Sequence, residues 1–490
     1  LTDPDDFAAA GSYVKRFPEN LFPPMAGATD GLKAVVLDHV PRWEEARRQA
    51  FLDWLYKGGT VHLMHAASGD FPEFPAALSI LNLKLTAYRV GSGLVVRHQR
   101  PSRDLGKAFV DEMIAPDRWT RSAVLGLDAT EETKRGVPEK TTTNNPTYQI
   151  YQDRVFDDLD AGVFGELNQM TRPKHKWAFI YLLSLIYIVL IFPGFYLLGL
   201  KRRDYRVMYA AMLLVVLMFS AVFAFVGRRG YDETTTLHTV IFARPLADGS
   251  LDVTGWTNAF VTDGDDYAIT YDGSGKLFST AQELERVNGD ITSGTGGRFV
   301  VDIPPYSNRS FTYRARVPGN FAPTVKEFAA GEKLQRLTVD LGDTLFVQQN
   351  PQALALYKDI VYSGTFNNGR IEVYETGSMT MTELVNRSKQ SGFGGGYNPM
   401  FYGMGGEEKP VEARYQDLFW PLVVRSFHNR QYSKLIEFAL PADRVRLFVY
   451  ARMPDSLRTR LSLLDDPDVP LGKQSGAVLY VFDVFPGEKP

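Results

Sequence analysis

Seven histidines and no cysteine define the chemistry open to this 490-residue chain. Without a thiol there is no cysteine nucleophile, no thiolate metal site and no disulfide. Four histidines, His39, His62, His65 and His98, precede residue 100, and His39 directly follows Asp38. Asp38-His39 and His65 each close a short apolar run, and in an open α/β sheet ligands gather at the carboxyl ends of such strands. Two imidazoles and a carboxylate suit zinc, so Asp38, His39 and His65 are the candidates for a divalent metal. Their spacing fits no tight ligand motif, and the metal is left unassigned. Ser68, in Ala66-Ala67-Ser68-Gly69, lacks the small-x-Ser-x-small setting of a nucleophile elbow. Gly91-Ser92-Gly93 is not followed by a helix that could face a dinucleotide phosphate, so it reads as a turn. No catalytic residue is assigned and no cofactor is expected.

A second set of residues suits contact instead of catalysis. Ser391 to Gly406 mixes glycine with Phe393, Tyr397, Met400, Phe401, Tyr402 and Met404. Adaptable methionine and aromatic side chains on a flexible backbone suit a partner surface, and these six are the partner-binding candidates. With 54 Lys and Arg against 57 Asp and Glu, the net charge of -3 gives no basic footprint, so nucleic acid is excluded as a partner.

The elements that would hold these residues divide the chain into four. Residues 1–115 read as an α/β domain of flavodoxin or amidotransferase type. Ala34 to Asp38 is a strand, and Arg42 to Lys57 is a helix entered at Pro41 and closed by Gly58-Gly59. Thr60 to His65 follows as a strand, parallel to the first. Leu83 to Arg89 and Leu94 to His98 form a hairpin. Residues 116–176 are a connector, with an amphipathic segment at Tyr148 to Met170 that leads to a membrane or packs on the α/β domain. Residues 177–226 hold two uncharged apolar runs, Trp177 to Leu200 and Val207 to Val226, joined by Lys201-Arg202-Arg203-Asp204-Tyr205-Arg206. At roughly 1.5 Å per residue they make helices of about 36 and about 30 Å, enough for two transmembrane spans. Residues 227–490 alternate short apolar runs with turns, as in an antiparallel sandwich. Glu412 to Phe427 is the helical exception, broken or kinked at Pro421.

The fold class expected is therefore a multidomain membrane protein: an α/β domain, two transmembrane helices and a β-rich sandwich-like domain. The basic loop places the hairpin tip in the cytoplasm and both large regions outside it. The Ala34 to His65 stretch, the Val90-Gly91-Ser92-Gly93-Leu94-Val95-Val96 turn, and the hairpin with Tyr187, Pro193-Gly194 and Lys201-Arg202-Arg203 carry a family likeness. Over residues 1–260 the chain resembles bacterial envelope proteins with a class I glutamine amidotransferase-like domain before a membrane hairpin and a β-rich tail. That resemblance implies an inner-membrane protein with periplasmic domains and a further sandwich upstream. Amidotransferase activity needs a cysteine nucleophile, so the activity does not carry over.

The function expected is a membrane-anchored, non-enzymatic scaffold or accessory subunit of an envelope complex, its partners being the bilayer and other envelope proteins. The alternatives are a solute- or glycan-binding component of a transport system and a metal-dependent hydrolase acting through His39 and His65.

Overall fold

The computed structural model describes residues 19–29, 31–32, 34–66, 68–106, 109–110, 121–125, 162–171, 177–197, 205–226, 234–271, 276–281, 289–295, 297–342, 352–367, 369–388, 410–427 and 435–487. The N-terminal lobe is a four-stranded sheet with the spatial order β1-β2-β4-β3. Its strands are β1 (Ala34–Leu37), β2 (Thr60–His65), β3 (Ala87–Val90) and β4 (Gly93–Pro101), and helix α1 (Glu45–Tyr56) joins β1 to β2. β1 and β4 both run parallel to β2, and β3 pairs antiparallel with β4. Ala50, Phe51, Trp54 and Leu55 recur at helical spacing and form the buried face of α1. There Phe51 packs 5.0 Å from Trp43 and 5.8 Å from Trp54, centroid to centroid.

The C-terminal body is larger. In chain order its strands are β5 (Thr236–Pro245), β6 (Leu251–Val261), β7 (Asp265–Tyr271), β8 (Lys276–Ala281), β9 (Gly289–Thr292), β10 (Gly294–Thr295), β11 (Arg298–Ile303) and β12 (Ser307–Val317). There follow β13 (Thr324–Ala330), β14 (Leu334–Asp340), β15 (Gln352–Tyr357), β16 (Ile360–Asn367), β17 (Arg370–Thr380), β18 (Val445–Arg452), β19 (Thr459–Leu463) and β20 (Lys473–Val484). Twelve of them form one sheet, ordered β10-β8-β12-β6-β5-β20-β18-β15-β16-β17-β14-β13, and β19-β7-β11-β9 form a second. The pairs are antiparallel except β5 with β20, where Lys473 to Tyr480 lie parallel to Thr236 to Ala243. The last strand thus enters the middle of the large sheet, and its residues from Gly476 to Phe482 are buried on both faces.

Helices, not a matching sheet, cover one face of that large sheet. Val163, Phe164 and Leu167 of a helix at 162–170 share an apolar cluster with α5 (Met381–Ser388), α6 (Val411–Asp417) and α7 (Phe419–Arg425) against Val240, Leu356, Phe448 and Leu479. The smaller sheet supplies Tyr267, Ile269, Phe299 and Leu461 to the opposite face. The sandwich-like domain expected from the sequence is therefore corrected to three layers: small sheet, large sheet, helices. The connector segment that reaches 170 packs on the β body, not on the α/β lobe.

The membrane hairpin is corrected as well. Among the described residues no helix is long and apolar enough to cross a membrane. Among the described residues the first apolar run is α-helical over Trp177–Val189, about 20 Å, and again at 195–197. Pro193 lacks the backbone donor that the α-ladder needs, and Leu190–Gly194 is wound as a π-helix. The second run is helix Tyr205–Val226, and Phe219 packs 5.1 Å from Tyr187 of the first. The transmembrane, inner-membrane and periplasmic assignments rested on two spans, and the described residues supply none.

Lobe and body meet through buried charge. Lys57, just past α1, places Nζ 2.5 Å from Asp252 Oδ2, with both side chains under 8 % exposed. Asp53 of α1, fully buried, receives Arg316 Nη1 at 2.6 Å, and Arg316 Nη2 reaches Asp248 at 2.7 Å. On the β3–β4 turn, Ser92 Oγ donates to Asp483 Oδ2 at 2.7 Å, and Arg446 Nε donates to Asp483 Oδ1 at the same distance. Burial alone would raise the Asp483 carboxyl; Arg446, Arg444 and the Ser92 hydroxyl outweigh it and hold the group at about 2.

Candidate functional site

Asp38 and His39 come together. His39 Nδ1 lies 2.6 Å from Asp38 Oδ1 and Nε2 lies 2.8 Å from Glu19 Oε1. The second oxygen of Asp38 accepts from Ser102 Oγ at 2.5 Å, and that of Glu19 accepts from the Arg42 backbone N–H at 2.5 Å. The Asp38 hydrogen bond, working against partial burial and aided by Glu19, raises the His39 pKa above its ordinary 6.5. A ring with a carboxylate at each nitrogen favours the doubly protonated form, which has no lone pair to offer a metal. His65 stands apart from this cluster, its ring edge-on to Phe71 at 4.6 Å. Among the described residues no three His, Cys, Asp or Glu side chains gather where they could hold a metal ion. Ser68 is exposed in a tight loop that the Ala66 amide closes on the Asp70 carbonyl at 2.8 Å.

The Gly91-Ser92-Gly93 turn serves the interface between lobe and body. Gly91 has φ of +54°. A Cβ on Gly93 would stand 1.9 Å from the Leu55 carbonyl oxygen, so only glycine lets β4 start against the end of α1. That close approach brings Ser92 to Asp483.

At the other end of β4 the residues Arg97 to Arg100 reach a cleft of about 620 Å³. Among the described residues its walls carry three cations, Lys84, Arg97 and Arg100, two rings, Phe71 and Phe109, and the edge of His98, with no carboxylate. Arg97 lies over the Phe71 ring at 4.0 Å and donates through Nη1 to the Leu83 carbonyl at 2.6 Å. Arg100 lies 5.9 Å from the centre of Phe109. Behind them His62 Nδ1 and His98 Nε2 share one hydrogen bond at 2.9 Å between stacked, buried rings. One of the two nitrogens must accept, so at least one ring is neutral. Burial, then Arg100, pushes the His98 pKa down. Among the described residues none of Lys84, Arg97 and Arg100 has a carboxylate partner. This cleft lies at the carboxyl edge where the sequence places a site, but it uses cations that the sequence reading passed over. Arg97-His98-Gln99-Arg100 following an apolar strand is the signal that could have found it.

One further polar group is enclosed in the body. His238 Nδ1 lies 2.8 Å from Ser475 Oγ and 3.1 Å from Tyr415 Oη, and Tyr415 donates to the Ser475 carbonyl at 2.9 Å. Burial lowers His238 to about 4 and raises Tyr415, so both stay neutral. With His238 at 5 % exposure this cluster seats α6 on the large sheet and opens to no substrate. The partner-binding candidates Phe393, Tyr397, Met400, Phe401, Tyr402 and Met404 lie outside the described residues.

Among solved structures, the chain is similar to the Fcho1 Mu homology domain of Danio rerio with bound Eps15 peptide, at 7 % identity and a TM-score of 0.25, covering 51 % of this chain and 96 % of that one. It is also similar to an M1 zinc metallopeptidase of Deinococcus radiodurans, at 8 % identity and a TM-score of 0.15, covering 30 % of this chain and 38 % of the peptidase. Superpositions this loose carry no argument about fold or activity. No family model matches the chain and no curated protein does, so the resemblance to amidotransferase-like envelope proteins is not supported.

Proposed function

We propose that this chain is a non-enzymatic accessory subunit that works by binding, with its α/β lobe holding a small anionic ligand. The observation that carries this reading is the cleft in which Lys84, Arg97 and Arg100 converge without a carboxylate partner among the described residues. Concave sites with a few fixed polar groups between aromatic walls are the usual form of a ligand pocket. Elsewhere in the chain the histidines support binding over turnover: His39 is engaged by two carboxylates and His238 is enclosed. Membership of a larger assembly is supported by the apolar side chains of the two helices, where Phe192 is 78 % and Leu214 68 % exposed. Surfaces of that kind mark contacts with partners.

Thermal unfolding of the full chain against anionic and neutral small molecules at fixed ionic strength tests the ligand reading. An anion at about 100 times its dissociation constant stabilises the folded state by about 2.7 kcal/mol, and the triple substitution Lys84→Gln, Arg97→Gln, Arg100→Gln should abolish the gain. A melting temperature indifferent to every anion tried would sink the proposal.

A further inference from the structure

Resting on that ligand reading, we infer that the cleft is built for an organic phosphate: a phosphate monoester on an apolar or aromatic body. Charge is the first argument. Three cations line the cleft and no acid among the described residues offsets them, which matches a dianion better than a singly charged carboxylate. The second is the state of Arg97. Its guanidinium is held in one plane by Phe71 at 4.0 Å beneath it and by the Leu83 carbonyl at 2.6 Å on Nη1. Those contacts occupy one face and one nitrogen. Nε and Nη2, which form a two-pronged donor, have no hydrogen-bond partner among the described residues. A planar fork fixed in advance is the arrangement that binds phosphate oxygens two at a time, and fixing it beforehand removes the entropy cost of ordering it. Lys84 and Arg100 add charge without imposing geometry, and both are exposed.

The third argument is the apolar part. Phe71 and Phe109 line the cleft only partly buried, and each lies against a cation. A ligand that carried only phosphate would leave their open parts in water. An attached ring or aliphatic body would cover them and gain their burial.

Calorimetric titration of the full chain with phenyl phosphate, inorganic phosphate and benzoate, at pH 7 and constant ionic strength, tests this. Phenyl phosphate should bind about tenfold or more tighter than either of the others. Arg97→Lys keeps the charge and loses the fork, so it should weaken phenyl phosphate by about tenfold while leaving the melting temperature of the free protein in place. Benzoate binding as tightly as phenyl phosphate, or Arg97→Lys binding unchanged, would overturn the phosphate assignment and leave the anion reading standing. Inorganic phosphate binding as tightly as phenyl phosphate would overturn the organic part. If none of the three binds, both this inference and the proposed function fail. Should Arg97→Lys fold poorly, the exposed pair Lys84→Gln, Arg100→Gln tests the charge argument instead: phenyl phosphate should weaken by about tenfold and more than benzoate does, and an equal loss for both would overturn the dianion assignment.

Discussion

Acid should loosen the seat of α6 on the large sheet, and His238 sets the pH at which it does so. The imidazole sits on β5 at 5 % exposure, beside Ser475 Oγ at 2.8 Å and Tyr415 Oη at 3.1 Å. Burial alone takes its pKa from 6.5 to about 4. As pH falls the unfolded chain takes up this proton near 6.5, whereas the folded chain refuses it until about 4. Between those values the unfolded state binds more protons, so stability is full above about 6.5 and is lost as pH drops. The whole difference amounts to about 3 kcal/mol, of which about 2 kcal/mol is already lost at pH 5. Urea unfolding of the wild type and His238→Gln, followed by tryptophan fluorescence at pH 7, 6, 5 and 4.5, separates this group from the rest. His98, Asp483 and the oppositely shifted His39 titrate in both proteins and cancel in the difference. The wild type should lose about 2 kcal/mol more than the variant between pH 7 and pH 5. Parallel pH profiles, or a folded-state resonance of His238 titrating near 6.5, would refute the reasoning.

Two further outcomes follow from the interface between lobe and body. Lys57→Met leaves Asp252 buried without its 2.5 Å partner and should cost about 3 kcal/mol in denaturant unfolding, whereas Lys57→Met with Asp252→Leu should recover much of that; equal losses would contradict a paired, desolvated bridge. Gly93→Ala drives a methyl to 1.9 Å from the Leu55 carbonyl and should lower stability by about 3 kcal/mol or more, while Gly487→Ala, which meets nothing within 4 Å, should leave the melting temperature unchanged.

Local order in the lobe is legible because local signals agree there. The apolar run before Asp38, Pro41, the aromatic stripe of α1 and Gly58-Gly59 all point to strand, helix, strand, and β1, α1 and β2 occupy those positions. In the body, propensity misleads at Gln352–Tyr357: Ala and Leu favour helix, yet Ala353 to Tyr357 are a buried inner strand between β16 and β18. The break expected near Pro421 is present: α6 ends at Asp417 and α7 starts at Phe419, which puts Pro421 third in a new helix, in a first turn where the missing donor is not needed. Pairing β20 parallel to β5 joins residues more than 230 positions apart, and no local pattern announces it. The site shows the same limit. The carboxyl-edge rule points to the end of the small sheet that carries the cleft but cannot show that Glu19, in a short turn 20 residues upstream, captures His39. Nor can a sequence tell a solvated arginine from one held on a phenyl ring in a cleft without acids.

The topology of the lobe explains why its hydrogen-bond donors for acidic groups divide into two sets. Lys57 and Ser92 stand just before β2 and β4, at the amino ends of those strands, and both are spent on carboxylates of the body. Arg97 and Arg100 stand at the far end of β4, up to about 23 Å along the strand from Gly93 at roughly 3.3 Å per residue. Buried ion pairs contribute little net stability, but they penalise any other docking, because a shifted lobe would leave Asp53, Lys57 and Asp252 desolvated without partners. The amino edge therefore fixes one orientation. In that orientation Asp248, Asp252 and Asp483 of the body are engaged at the opposite end, and among the described residues no acid lines the cleft at the carboxyl edge. A lobe that docked by its other edge would neutralise the cleft. Specific docking and an open anion site are thus two consequences of one arrangement.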